Sequence, residues 1–113
     1  MTRYLISFDD GAMKFPEEEL PDVAEAALAV VQEARNADVW VFGGGLKSQE
    51  EVSVVATDGT VTYGPHGDGK AYVGGFAVVD VPSREEALEW AAKIAVACRC
   101  AQEVREFVPD PTV

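Results

Sequence analysis

Basic residues are scarce in this chain of 113 residues. Lys and Arg number 9 against 20 Asp and Glu, for a net charge of −11 and a pI near 4.3. Holding a phosphate backbone takes clustered cations that displace counterions, so this balance predicts no nucleic-acid partner. Anionic membrane surfaces are disfavoured for the same reason. No stretch approaches the roughly 18 apolar residues of a spanning helix, and none is expected to cross a membrane. Met1-Thr2-Arg3-Tyr4 leads straight into a strand-like segment, without the basic and apolar regions of a signal peptide. Cysteine is limited to Cys98 and Cys100. They stand too close for an ordinary structural bridge and read as free thiols of a cytoplasmic protein. Histidine occurs once, as His66. With the two cysteines it makes three potential ligands, but Cys-x-Cys lacks zinc-knuckle spacing, so no metal is expected. Gly43-Gly44-Gly45 has neither the GxGxxG pattern nor the GK[ST] ending of a nucleotide loop, so no cofactor is expected. Those glycines read instead as a strand stop with positive φ.

What the chain does have is hydrophobic residues, 48% of the total. At this length a domain buries roughly two-thirds of its unfolded surface and needs no staple. One domain over residues 1–108 with a short tail, 109–113, is expected. Arg3-Tyr4-Leu5-Ile6-Ser7-Phe8 reads as a strand ended by Asp9-Asp10-Gly11. Glu17, Glu18 and Glu19 then mark a helix start. Leu20, Val23, Ala24, Ala27, Leu28, Val31 and Ala34 form one apolar stripe to about Arg35. Pro21 belongs in the first turn, which puts the start at 17 or 21. Val39-Trp40-Val41-Phe42 is a second strand. Asp58-Gly59 joins Val52–Thr57 to Thr60–Tyr63 as a two-residue hairpin. Gly75 to Val81 is another strand. Ser83 and Glu86 have capping-box spacing at the head of a second helix whose buried stripe is Ala87, Leu88, Ala91, Ile94 and Ala95, with Trp90 at its margin. A last strand spans about Gln102 to Val108.

This order is α+β and ferredoxin-like, a split βαβ plan with an extra hairpin arm. Two helices cover one face of such a sheet, yet Leu5, Val39, Val41, Val54, Val55, Phe76, Val78 and Val79 supply apolar residues to both. An open apolar face calls for a partner, and the economical partner is a second copy, sheet against sheet, in a homodimer. Trp40 and Trp90 read as core or dimer contacts.

Several motifs are similar to those of the YCII-related family in its DGPF-type branch. They are Tyr4-Leu5-Ile6, Gly43-Gly44-Gly45-Leu46, Asp58-Gly59 with Val61-Thr62, and Gly64-Pro65 with Lys70 and Gly74-Gly75-Phe76. Glu86-Ala87-Leu88-Glu89-Trp90-Ala91 and Glu103-Val104-Arg105 complete the series. The resemblance runs along nearly the whole chain and implies a ferredoxin-like fold and a dimeric α+β barrel. It implies little about reaction: most members have no assigned activity, a His and an Asp have suggested enzymes, and some relatives accompany or are fused to alternative sigma factors. Tyr63 stands where the signature has Asp, His66 where it has Phe, and Asp68 where Glu is usual. The His that other members carry near the first helix is absent, so their His–Asp chemistry does not transfer.

Histidine as a residue type suits acid–base work near neutral pH, and His66 has Asp68 two residues on in a glycine-rich loop. A solvated loop histidine is the plainer account. Asp9 and Asp10 end the first strand at the sheet rim, where they would pair with Lys47 or Lys70 or hold a polar substrate; turn-forming carboxylates account for them equally well. Asp9, Lys47 and Lys70 are the substrate-binding candidates. Arg105 reads first as an ion pair with Glu103 or Glu106. Two functions follow: a small polar molecule bound or transformed in a pocket at the sheet rim, or a non-catalytic dimeric module that binds a ligand or protein in a stress or transcription circuit. A purely structural dimer is the third.

Overall fold

A computed structural model describes residues 1–65 and 70–112 of the chain. His66 and Asp68 lie outside the described residues. Strand β1 (Thr2–Asp9) leads through a 3-10 turn at Glu17–Glu19 into helix α1 (Leu20–Asn36) and then β2 (Trp40–Gly45). The short strands β3 (Ser53–Val55) and β4 (Val61–Tyr63) pair as a separate hairpin. Strand β5 (Val73–Val81), helix α2 (Arg84–Cys98) and β6 (Glu103–Glu106) complete the chain. The main sheet has the order β2-β5-β1-β6, with all three pairings antiparallel. Two βαβ halves interleaved in this way make the α+β, ferredoxin-like plan read from the sequence.

Both helices lie on one face. Tyr4 and Ile6 of β1, Ala77, Val79 and Val81 of β5, and Ala34, Ala87 and Ala91 of the helices form its core. Ile6, Val79 and Val81 are the largest side chains wholly removed from water, each contributing about 1.5–3 kcal/mol by burial. Small alanines on the helix side let α1 and α2 approach the sheet closely. Ser83 caps α2: its Oγ accepts from the Glu86 N–H at 3.2 Å, half of the predicted box. Arg99 closes the helix with φ of 58°, and Asp38 (φ 59°) does the same service just beyond α1.

Three sequence expectations need correction. The glycines Gly43-Gly44-Gly45 do not stop β2; they are its second half, and their φ values are not positive. The reason is proximity. A Cβ at residue 43 would lie 2.5 Å from the Phe76 carbonyl oxygen and 2.8 Å from the Ala77 Cα, so only glycine lets β2 run this close to β5. The hairpin loop is also longer than two residues. Ala56 N donates to the Thr60 oxygen at 2.8 Å and Gly59 N to the Ala56 oxygen at 2.9 Å. This is a turn over Ala56–Gly59 that ends in left-handed Gly59 (φ 89°), the three-residue loop with a glycine bulge. The Asp58 carboxylate accepts from Thr60 N at 2.9 Å and organises it. Finally, Leu20 and Leu28 of the α1 stripe are exposed, as is Leu88 in α2. Spacing names a stripe, but its phase is set by the sheet beneath, and Val30, outside the expected stripe, joins Val31 at the inner wall.

The second face of the sheet is open. Leu5 stands opposite Val78, Ser7 opposite Phe76, and Phe42 opposite Val78. The Phe42 and Phe76 rings meet with centroids 5.9 Å apart, yet Phe42 remains 64% exposed.

Candidate functional site

Between the sheet and the two helices lies a cavity of about 230 Å³. Phe8 at the end of β1, Trp40 at the head of β2, Trp90 and Ile94 on α2, Met13 in the first loop and Gln102 before β6 help to wall it. Its existence follows from the local sequence. Gly44 and Gly45 offer no side chains to fill it, and Ala27, Ala34 and Ala97 offer only methyl groups. The lining is carbon almost throughout, and among the described residues Cys98 is its sole titratable member. Burial, followed by the neighbouring Cys100, pushes the Cys98 thiol up from its ordinary value. It therefore sits there as a neutral thiol and not as a nucleophilic thiolate.

The rim of the sheet is built by a different set of bonds. The Asp10 N–H donates to the Tyr72 carbonyl at 2.7 Å, and Leu46 N to the Gly74 oxygen at 2.8 Å. The Asp10 Oδ2 accepts from Gln49 N at 3.3 Å. These contacts fasten the segment after β2 to the start of β5. Lys47 borders an open groove there with Leu46, Gln49 and Tyr72, and the Lys70 ammonium rests 5.1 Å from the Tyr72 ring centroid. Asp9 is exposed at the point where the β1–β5 register slips. Lys47, Lys70 and Asp10 thus share one rim around Tyr72.

The expected charge pairs do not form. Among the described residues the ion pairs are Lys93 with Glu33 and Arg99 with Glu19, both linking α2 to the first helical segment. Asp10 spends its carboxylate on a backbone N–H. Arg105 lies opposite Leu5 on the open face, and its neighbour on that same face, Glu103, is two residues away, a spacing of roughly 7 Å along a strand. No three His, Cys, Asp or Glu side chains gather as metal ligands among the described residues.

Rim and cavity are adjacent in the chain. Phe8 and Gly45 line the cavity, and the residues that follow them are Asp9 and Leu46-Lys47. Sequence reasoning expected a pocket between sheet and helix at the rim, near Asp9, His66, Asp68 and Lys70, and missed the apolar lining and Gln102. A glutamine before a strand carries no local signal, and Trp40 and Trp90, read as packing residues, prove to be half-buried walls.

The fold resembles that of the 5-chloro-2-hydroxyhydroquinone dehydrochlorinase of Burkholderia phenoliruptrix AC1100, solved in complex with 2,5-dihydroxybenzoquinone. The TM-score is 0.54 over 97% of each chain, at 17% identity, which speaks for the fold alone. No curated protein is similar enough to count as a match. The YCII-related domain matches residues 2–109, nearly the whole of this sequence. With its split βαβ sheet and that match, the chain belongs to the YCII-related domain family.

Proposed function

We propose that this chain binds or transforms a small organic molecule in the cavity between sheet and helices, with the polar end of that molecule directed to the rim at Asp9, Lys47 and Lys70. The observation that carries the reading is the cavity of about 230 Å³, whose wall residues Phe8 and Gly45 stand one and two residues before Asp9 and Lys47 in the chain. Pockets of this kind, mostly apolar with a few polar groups at one end, are the usual form of small-molecule sites. The carbon lining favours a molecule with an apolar body over the wholly polar metabolite suggested by the rim residues. The ring compound held by the dehydrochlorinase is of a size that such a space admits. His66 and Asp68 remain the proposed acid–base pair, on the sequence argument, and the Gly64-Pro65 and Gly74-Gly75-Phe76 motifs support the DGPF-type branch.

The chain contains two tryptophans, Trp40 and Trp90, and both line the cavity, so intrinsic fluorescence reports on this space. A panel of one-ring metabolites is titrated into the wild type and into Ala27→Phe, which fills the cavity from α1. A saturable change in emission that is lost in Ala27→Phe supports the site. Binding that persists undiminished in that variant places the ligand elsewhere and defeats the reading. Turnover of a bound compound, abolished by His66→Ala, separates an enzyme from a non-catalytic module.

A second reading concerns the open sheet face. Leu5, Phe42, Phe76 and Val78 form an apolar patch there, with Arg3 opposite Asp80 and Glu103 opposite Ser7 beside it. Mixed charge around an apolar centre is self-complementary, which favours a homodimer in the manner of a dimeric α+β barrel.

A further inference from the structure

Within the carbon-lined cavity, a single polar side chain has incomplete bonding. Gln102 follows the left-handed turn at Arg99 and precedes β6, and it forms part of the cavity wall. Its Nε2 donates to the Cys100 carbonyl oxygen at 3.3 Å and lies 3.5 Å from the Cys100 Sγ. A carbonyl oxygen only accepts, so the amide nitrogen must be the end that faces it, and the orientation of the amide is determined. Gln102 Oε1 is left buried, with no hydrogen-bond partner among the described residues. A buried acceptor without a partner has given up water for nothing, which is uncommon in folded proteins and calls for a reason.

We propose that Gln102 Oε1 is the polar anchor of the cavity, and that its ligand is a neutral hydroxylated ring, a phenol or enol, whose O–H donates to that oxygen. The inference rests on the small-molecule reading of the cavity. Size, lining and charge each narrow the choice. Benzene occupies a dry apolar cavity of about 150 Å³, so 230 Å³ holds one ring with small substituents. Trp40, Trp90 and Phe8 offer aromatic faces to it. Among the described residues no Lys, Arg or His is in the wall, so a phenolate would enter without a counter-charge from them and is disfavoured. An ether or a plain hydrocarbon would leave the oxygen as it is.

The test uses 4-methylphenol and p-xylene, which share a ring and differ by O–H for CH₃. Their dissociation constants are measured by tryptophan fluorescence for the wild type and for Gln102→Leu. The expected result is that the substitution weakens 4-methylphenol about tenfold while p-xylene binds as well or better, the loss of one buried hydrogen bond. Equal effects on the two probes, or none on either, overturn the anchor and leave the cavity reading in place, since p-xylene still binds. If neither probe binds the wild type, the cavity reading fails and the anchor falls with it. Gln102→Met, similar in length, supplies the same comparison should Gln102→Leu not fold.

Discussion

Phe8 and Gly75 stand directly opposite each other on β1 and β5, and a Cβ at residue 75 would lie 2.5 Å from the Phe8 Cζ. The ring therefore lies across bare backbone, which is how a large aromatic side chain comes to wall the cavity instead of plugging it. Gly75→Ala drives the ring away, and the open space beside it is the cavity. The expected outcome is a modest loss of stability, about 1 kcal/mol, with a larger loss of ligand affinity. Gly43→Ala differs, because its Cβ would meet the Phe76 oxygen and Ala77 Cα, backbone atoms that cannot swing aside. It should cost more, about 1–3 kcal/mol. Urea denaturation of both variants checks the order, and an equal or reversed ranking refutes the account.

Tyr4 is buried in the core with its hydroxyl donating to Glu106 Oε1 at 3.4 Å. Burial first, and the Glu106 charge second, hold its phenol above the ordinary value. A folded pKa above the unfolded one means that the neutral phenol's contribution is complete below about pH 10 and is lost as pH rises through the folded value. Melting temperature should fall across that alkaline range, and Tyr4→Phe should flatten the fall. A Tyr4→Phe profile that parallels the wild type above pH 10 would show that another group is responsible.

Cys98 and Cys100 make a contrast in access with similar electrostatics. Both thiols are raised by burial, but Cys98 is the more buried of the two. Iodoacetamide at pH 7.5 should modify Cys98 far more slowly than a free cysteine, and at the normal rate once urea has unfolded the chain. Mass spectrometry of the alkylated peptides separates the two sites. Rapid modification of Cys98 in the native protein would mean that the cavity opens often.

The proposed dimer is tested at Phe42, whose ring is exposed beside Phe76. Phe42→Asp places a charge in the apolar patch, on its β2 side. The wild type should sediment as a dimer and this variant as a folded monomer. A monomeric wild type at tens of micromolar would remove the second-copy reading and leave the cavity reading untouched.

Much of the scaffold was legible because its signals are local. Ser83 three residues before Glu86, Pro21 in a first turn and the strand of residues 3–8 ahead of Asp9-Asp10-Gly11 each act within one element, and each appears where expected. The errors came where a distant segment decides. Gly43-Gly44-Gly45 reads as a stop until β5 is laid beside it, and Leu28 reads as core until the phase of α1 is set by the sheet. The candidate site divided the same way. Asp9 and Asp10 were read as rim residues because they end a strand, and Lys47 and Lys70 only as charges able to pair with them. The cavity is a property of the gap between layers, and a gap has no residue type of its own.

That gap has a consequence for how such proteins diverge. Backbone packed against backbone at Gly43 and Gly74 tolerates no added carbon, so drift there is closed. The walls contributed by Ala27, Val31 and Ile94 can exchange methyl groups freely, and each exchange reshapes what fits inside. Selection can therefore retune the occupant of this fold while its outline stays constant. A lineage that shares the shape at low identity is free to have changed its chemistry several times over.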